Sequence, residues 1–146
     1  MEKILVPIDF SNITETLIKE AGRWAKLCAG EIYILYVEDP EPDFVGYKAG
    51  PETQRDSVAH DIRHHHQKLE DIEQSLKKQG LNATARMLQG PIVETILSEA
   101  KKNNSNFILI GTHGHSALHH LLVGSVTKNI IQKAACPIIL VPKPNK

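Results

Sequence analysis

The chain has 146 residues, and its 17 lysines and arginines balance its 17 aspartates and glutamates, so its formal net charge at pH 7 is zero. This balance argues against a nucleic-acid binder, which usually carries a clear basic excess, and against a polybasic membrane anchor or an acidic tail. With 41% apolar and 23% charged residues, the length predicts one globular domain over residues 1–146 with a sizeable core.

Cysteine use and hydropathy predict a cytoplasmic protein. Cys28 and Cys136 lie far apart and have neither redox nor metal-ligand spacing, so we interpret them as small buried apolar residues. The apolar run Ile4–Ile8 is too short for a secretory signal. No stretch approaches the roughly 18 consecutive apolar residues that a membrane span needs.

The first predicted elements are a strand and an amphipathic helix. The continuous apolar run Ile4–Ile8 is typical of a strand that is buried on both faces. From Ile13 onward, apolar residues recur every three or four positions, which predicts a helix ending near Gly30. Ser11 and Thr14 are the candidate caps of this helix.

A second strand and a long helix follow. The strand is predicted over Ile32–Val37, and a polar loop over Glu38–Pro51 separates it from the helix. One apolar stripe runs from Val58 to Leu76, and Gly80 is expected to stop the helix.

The second half of the chain repeats this alternation. A weaker strand over Asn82–Leu88 precedes Pro91, which is well placed at the start of a short helix, and a buried strand follows over Phe107–Ile110. After a glycine- and histidine-rich loop over residues 112–124, Ser125 opens the last helix. Its inward apolar residues are predicted to be Ile130, Ile131 and Ala134, and the last strand is Pro137–Val141.

This order predicts an α/β fold with a five-stranded, doubly wound parallel sheet, strand order 3-2-1-4-5, and helices on both faces, similar to Rossmann folds. In such sheets ligands bind beyond the carboxyl ends of the strands, where the strand order reverses. Pro7 cannot donate a ladder hydrogen bond, although the first strand is central. The conflict is resolved if Pro7 lies at the carboxyl end of that strand, beside the ligand crevice.

One loop has the composition of a phosphate site. Gly111-Thr112-His113-Gly114-His115 follows a buried strand, and Gly124-Ser125-Val126-Thr127 leads into a helix. Glycines allow the backbone to approach an anion closely, and the first N–H groups of a helix have no internal partner. The Ser125 and Thr127 hydroxyls add donors. Three glycines also occur for turn geometry alone, so composition leaves both interpretations open.

Better-known phosphate motifs do not match. Gly124-Ser125 lacks the lysine of a Walker A loop, and no glycine follows the first strand as a dinucleotide fingerprint requires. His113-Gly114-His115 resembles the histidine motif of nucleotidyl transferases but follows the fourth strand and not the first.

The spacing Gly111-x2-Gly114-x9-Gly124-Ser125 resembles the ATP-binding pattern of the universal stress protein family. The segments Ile4–Ser11 and Ala135–Pro142 also resemble the opening and closing strands of that family. The resemblance therefore covers the whole chain and implies an ATP-binding member of the family.

The resemblance also implies roles for individual residues. Asp9 would contact the ribose, Pro7 and Ile8 would lie beside the nucleoside, and main-chain groups near Val37 would bind the adenine. Gly111 would sit by the ribose, and the rest of the loop would surround the phosphates. The complete predicted nucleotide-binding set is Pro7, Ile8, Asp9, Val37, Gly111, His113, Gly114, Gly124, Ser125, Val126 and Thr127. Asp9 as a turn cap and Ser125 as a helix cap remain open alternatives.

The eight histidines form two groups, which are His60, His64, His65 and His66 in the long helix, and His113, His115, His119 and His120 in the loop. The helix group is more typical of a solvated face than of a metal site, and His65, on the apolar stripe, is expected to be partly buried and hydrogen-bonded.

The loop histidines lead to a prediction about pH. Protonation of His113 or His115 would place positive charge beside the phosphates, so ATP affinity is expected to rise as pH falls below about 6.5, the ordinary pKa of histidine. Affinity measured from acidic to mildly alkaline pH checks this. A flat profile, after correction for protonation of ATP, would count against it.

The predicted function is ATP binding, with Mg²⁺ carried by the phosphates, in stress response or signalling. No catalytic base or nucleophile pair is evident, so no enzyme is predicted, although slow hydrolysis through a loop histidine stays open. The alternatives are a non-nucleotide interaction module of the same fold and a metal-dependent enzyme built from the histidines.

The last strand, Pro137–Val141, is apolar on both faces at a sheet edge, which predicts a homodimer, as the family resemblance also implies. Blunting of that edge by Pro137 and Pro142 is the alternative.

Overall fold

The computed structural model of the chain describes residues 1–39, 52–113 and 123–144, with residues 52–58 described by backbone alone. Nine elements alternate along these ranges. They are β1 (Lys3–Ile8), α1 (Thr14–Cys28), β2 (Glu31–Glu38), α2 (Glu52–Lys78), β3 (Asn82–Gln89), α3 (Ile92–Lys102), β4 (Phe107–Gly111), α4 (Ser125–Lys133) and β5 (Ile138–Val141). The predicted loop residues 40–51 and 114–122 lie outside the described residues.

The five strands form one parallel sheet in the order β3-β2-β1-β4-β5, which confirms the predicted fold class and strand order. Helices α1 and α2 cover one face and α3 and α4 cover the other. Each face has its own apolar cluster. The alternation along β1 shows this directly, because Ile4 and Val6 pack toward α1 and α2 while Leu5 packs toward α3 and α4.

The central strand β1 is paired unequally with its two neighbours. It pairs with β2 along its whole length, from Lys3 opposite Glu31 to Ile8 opposite Tyr36. Its pairing with β4 ends at Leu5, opposite Ile108. The two strands therefore separate toward their carboxyl ends, where the strand order reverses. Pro7 lies beyond the end of that ladder, so its missing N–H costs no hydrogen bond to β4.

The start of helix α1 differs from the prediction. Neither Ser11 nor Thr14 caps the helix, because the cap position falls on Ile13 and no side chain bonds there. The backbone turns before it, with the Thr14 N–H donating to the Ser11 carbonyl at 3.1 Å. The hydroxyls of Ser11 and Thr14 are buried and have no hydrogen-bond partner among the described residues.

The apolar face of helix α4 is narrower than expected. Ile130 is fully buried, but Ile131, predicted to point inward, is 44% exposed. Adjacent residues on a helix are about 100° apart, so a short helix that buries Ile130 turns Ile131 outward.

Gly30 marks a close approach between two segments of backbone. Helix α1 ends through Ala29, whose φ of 50° is left-handed, and the Gly30 N–H donates to the Ala25 carbonyl. A Cβ on Gly30 would lie 2.8 Å from the Glu2 carbonyl oxygen and 2.9 Å from Cys28 Sγ. No side chain fits there without a shift of the backbone.

We therefore expect Gly30→Ala to lower the free energy of unfolding by about 1–3 kcal/mol, the usual cost of overpacking. Urea denaturation followed by circular dichroism measures the change. Unchanged stability would contradict the close approach between Gly30 and Glu2.

Tyr33 links the sheet to helix α3 and gives the fold an alkaline sensitivity. Its hydroxyl donates to Glu99 Oε2 at 3.0 Å. Burial, followed by the bond to the Glu99 carboxylate and that carboxylate's charge, raises the Tyr33 pKa from 10.0 to about 12.

The folded state therefore holds the Tyr33 proton more tightly than the unfolded chain does. This contribution to stability is complete below pH 10 and is lost as the pH rises toward 12. We expect the melting temperature of Tyr33→Phe to fall less steeply than that of the wild type over this range. Parallel melting curves for the two proteins would contradict this.

Across the described ranges, no helix has the length and apolar character needed to cross a bilayer.

Candidate functional site

A cavity of about 350 Å³ opens where the carboxyl ends of β1 and β4 separate, between those strand ends, β2 and the start of α4. This size is within the range of small-molecule sites. Its apolar walls include Ile13, the cap residue of α1, Leu17 from α1, and Ile92 and Ile96 from α3. A groove of about 970 Å³ lies between α1 and α2, outside the carboxyl-end crevice.

The structure places ten of the eleven predicted site residues around this one cavity. These ten are Pro7, Ile8, Asp9, Val37, Gly111, His113, Gly124, Ser125, Val126 and Thr127. Gly114 lies outside the described residues, as do His115, His119 and His120. That these residues contact a nucleotide stays a prediction.

Several lining residues were not predicted from the sequence. They are the apolar side chains of Ile13, Leu17, Leu35, Ile92, Ile96 and Ile110, and the polar residues Tyr36, Glu38 and Asp39. Tyr36, Glu38 and Asp39 surround the predicted Val37 at the end of β2, so the rule that ligands bind beyond carboxyl ends could have included them. The apolar residues resemble any other core positions in the sequence and carry no local signal.

Asp9 lies immediately beyond β1, at the mouth of the cavity. Its Oδ1 accepts a hydrogen bond of 3.0 Å from the Ser11 N–H. Between them, Phe10 has a left-handed backbone with φ of 58°. The turn thus orients the Asp9 side chain, and the turn-capping alternative and a ligand-binding role are both compatible with this geometry.

The amino end of helix α4 lines the cavity, and its first backbone N–H groups have no acceptor within the helix. Gly124 is the extended cap residue, and Lys128 is the first to donate back into the helix, to the Gly124 carbonyl at 2.9 Å. The N–H groups of Ser125, Val126 and Thr127 precede that bond and have no acceptor within the helix. The first turn contains no acidic residue. This end of α4 can therefore receive an anion.

Two groups predicted as phosphate donors are already engaged in the structure. The Thr127 hydroxyl is buried and donates to the Gly111 carbonyl at 2.7 Å. The Gly124 N–H donates to the Thr112 carbonyl, also at 2.7 Å. Both bonds tie the start of α4 to the end of β4, so these groups hold the loop in place and their hydrogens are not directed at a ligand.

Gly111, the last residue of β4, is constrained by close packing. A Cβ there would lie 2.8 Å from Ile13 Cδ1 and 3.3 Å from the His113 carbonyl oxygen. Glycine at this position lets β4 reach the cavity floor beside α1. His113 follows two residues later, with its Nδ1 at 2.9 Å from Thr112 Oγ1.

The end of β2 forms the polar side of the cavity. The Tyr36 hydroxyl donates to Glu38 Oε2 at 2.6 Å. Burial, the bond to Glu38 and the neighbouring negative charges raise the pKa of Tyr36, so the phenol stays neutral. The Glu38 carbonyl accepts from the Gly90 N–H, which joins β2 to the loop before α3.

His65 faces this region from helix α2. As predicted, it is partly buried, with 24% of its side chain exposed, but its Nδ1 has no hydrogen-bond partner among the described residues. The same Nδ1 lies 3.7 Å from Glu38 Oε2. Over the part of the chain that the structure describes, no three histidine, cysteine or carboxylate side chains group together as metal ligands would.

Known proteins resemble this chain along its length. The model of the universal stress protein family matches residues 1–142. Universal stress protein MJ0531 of Methanocaldococcus jannaschii is 32% identical over 146 residues, which cover 99% of this chain and 84% of that protein. The solved structure of MJ0577, a universal stress protein of the same organism, superposes with a TM-score of 0.81 at 28% identity, covering 99% of this chain and 98% of the other.

Two more distant structures contain a nucleotide. A universal stress protein from Archaeoglobus fulgidus in complex with dAMP superposes with a TM-score of 0.69 at 20% identity, over 96% of this chain and 97% of the other. A universal stress protein in complex with cAMP gives a TM-score of 0.67 at 18% identity, over 97% and 96% of the two chains. At these identities the likeness concerns the fold alone. The family match and the relatives together show that this chain belongs to the universal stress protein family.

Proposed function

We propose that the cavity at the carboxyl ends of β1 and β4 binds ATP, and that the protein acts as a nucleotide-binding component of a stress response or signalling process in the cytoplasm. The observation that carries the proposal is the convergence of three features on one cavity of about 350 Å³. These are the Asp9 carboxylate, the apolar walls and the amino end of α4.

The arrangement suits each part of the nucleotide. Apolar side chains beside Val37 suit the adenine ring, and the carboxylate of Asp9 suits a ribose hydroxyl. The backbone N–H groups of Ser125 and Val126 suit the phosphates. Because backbone amides can hold a phosphate, the site needs little net positive charge, which accords with a chain whose formal charge is zero.

The fold is compatible with such a ligand. The complexes with dAMP and cAMP belong to other proteins, and they support the proposal because they show that a sheet of this kind can hold an adenine nucleotide. The triphosphate and Mg²⁺ are part of our proposal. Mg²⁺ would be held chiefly by phosphate oxygens, as is usual for this ion, and would neutralise their charge.

We propose binding and not catalysis as the role of the site. The proposed chemistry of this chain is to select the nucleoside and hold its phosphates at α4.

We also propose that the protein forms a homodimer through β5. This strand is at one edge of the sheet and pairs with β4 alone among the described strands. Leu140 on β5 is 40% exposed, so apolar area is available at this edge. Pairing with a second β5 around a two-fold axis would cover it. Sedimentation equilibrium at micromolar concentration tests this, and a monomer would contradict it.

Nucleotide content of the purified protein tests the proposed function. The protein is purified without added nucleotide, denatured, and the supernatant is separated by anion exchange with detection by ultraviolet absorbance. ATP or its hydrolysis product ADP in the supernatant supports the proposal. If the protein contains no nucleotide and fails to bind any adenine nucleotide at millimolar concentration, the interaction-module alternative replaces it.

A further inference from the structure

Beside the cavity, three aromatic rings from three elements pack together, and we call Phe10, Tyr36 and His65 the Phe10 cluster. Phe10 follows β1, Tyr36 is on β2, and His65 is on the long helix α2. We propose that His65 is a positioning residue for Asp9, acting through the ring and backbone of Phe10. This inference rests on the proposed function, because it concerns how the ribose-binding carboxylate is oriented.

The rings of the cluster make close contacts. The Phe10 ring stacks on His65 with centroids 5.1 Å apart and an angle of 13° between the planes. Tyr36 contacts both rings, at 4.9 Å from Phe10 and 4.8 Å from His65. The ammonium of Lys68, one turn of α2 beyond His65, lies 5.1 Å from the centre of the Phe10 ring. Phe10 is therefore held on several sides, mainly by α2.

The Phe10 backbone needs this support. Its φ of 58° is in the left-handed region, which is unfavourable for a bulky side chain. Such a conformation persists only where surrounding contacts hold it. The stacking on His65 and the contact with Tyr36 are two of the contacts that support it here.

The conformation of Phe10 contributes to the position of the Asp9 carboxylate. The hydrogen bond from the Ser11 N–H to Asp9 Oδ1, at 3.0 Å, spans Phe10. If Phe10 relaxed to a right-handed or extended backbone, the Ser11 N–H would turn away and the carboxylate would lose this partner. Release of the Phe10 ring is therefore expected to weaken the hydrogen bond that orients Asp9.

His65 can act only indirectly on a ligand. Asp9 and Tyr36 line the cavity, whereas Phe10 and His65 do not. The His65 Nδ1 makes no hydrogen bond within the described residues and lies 3.7 Å from Glu38 Oε2, so we assign the effect of His65 to its stacking on Phe10. A phenylalanine at position 65 can stack in the same way, and an alanine cannot.

A double-mutant cycle tests the inference. The affinity for Mg²⁺-ATP is measured by titration calorimetry for the wild type, His65→Ala, Asp9→Ala and the double variant. We expect His65→Ala to weaken binding about three- to tenfold, the range expected for loss of an aromatic pair. Because the effect passes through Asp9, the double variant should bind no more weakly than Asp9→Ala.

Two further variants serve as controls for the cycle. His65→Phe should bind within about twofold of the wild type, since it restores the stack. His64→Ala is the matched control, because His64 is the exposed neighbour on α2 with its ring 6.4 Å from that of His65, and it should change nothing. Additive losses in the double variant, or failure of His65→Phe to restore binding, would overturn the inference.

A measurement on the ligand-free protein separates this inference from the proposed function. In His65→Ala, the backbone amide signal of Ser11 should shift in nuclear magnetic resonance spectra and its hydrogen should exchange faster, because the bond to Asp9 is weakened. In His65→Phe and His64→Ala it should match the wild type. An unchanged Ser11 amide in His65→Ala refutes the positioning role. If the wild type binds no ATP while His65→Ala still shows the Ser11 effect, the proposed function alone is refuted and the positioning role stands.

Discussion

Replacing Ser125 with glutamate is expected to weaken ATP binding about 10- to 100-fold without destabilising the fold. Ser125 is the first residue of α4, is exposed, and lines the cavity. A carboxylate about 5 Å from a phosphate, at an effective dielectric constant of about 20, is repelled by about 3 kcal/mol, which mobility of the side chain and salt reduce.

The same substitution has the opposite effect on the helix. The first turn of α4 has no acidic residue, and a carboxylate there interacts favourably with the helix dipole by about 0.3–1 kcal/mol. We therefore expect the melting temperature of Ser125→Glu to be equal to or above that of the wild type. Loss of binding then cannot be attributed to unfolding.

Ser125→Gln is the matched control, because it has the same size without the charge. It should keep most of the wild-type affinity, since the backbone N–H groups are the main donors. Titration calorimetry measures the affinity of the wild type, Ser125→Glu and Ser125→Gln for Mg²⁺-ATP. If Ser125→Glu binds ATP as tightly as Ser125→Gln does, the phosphates do not lie at the start of α4.

The second large effect is expected for Asp9. Asp9→Ala removes the carboxylate proposed to accept a ribose hydroxyl and should weaken ATP binding about 10- to 100-fold, as a hydrogen bond to a charged group contributes about 1.5–3 kcal/mol. Asp9→Asn keeps an oxygen that can accept from the Ser11 N–H, so the turn is preserved and the loss should be smaller.

The comparison between these two variants separates the two roles left open for Asp9. If Asp9 only caps the turn, Asp9→Asn will bind ATP like the wild type and Asp9→Ala will mainly lower the melting temperature. If Asp9→Ala binds ATP with unchanged affinity, the proposed ribose contact is wrong.

Much of the fold could be predicted because its signals are local or topological. The apolar run Ile4–Ile8 requires a strand buried on both faces, and the alternation of such runs with helical stripes permits few arrangements other than a doubly wound sheet. Pro7 indicated the place where β1 leaves β4. The crevice followed from this topology.

The errors arose where long-range contacts decide local geometry. Ser11 and Thr14 are residue types that often cap helices, yet α1 begins at Thr14 and its cap position falls on Ile13, three residues after the left-handed Phe10. Ile131 is apolar but 44% exposed, because α4 buries its neighbour Ile130, about 100° away around the helix. Neither outcome is visible in a window of neighbouring residues.

In the candidate site, too, some features have a local signal in the sequence and others depend on long-range contacts. The positions of Asp9, Gly111 and Ser125 follow from motif spacing and strand ends. The bond from the Thr127 hydroxyl to the Gly111 carbonyl and the stacking of His65 on Phe10 join residues far apart in the chain. Such pairs depend on how elements pack, so residue type and spacing did not indicate them.

Titration of the wild-type protein with Mg²⁺-ATP tests the central claim most directly. We predict saturable binding of one ATP per chain, lost or greatly weakened in Ser125→Glu and retained in Ser125→Gln. Absence of binding by ATP, ADP and AMP at millimolar concentration would contradict the claim that this cavity is an adenine-nucleotide site.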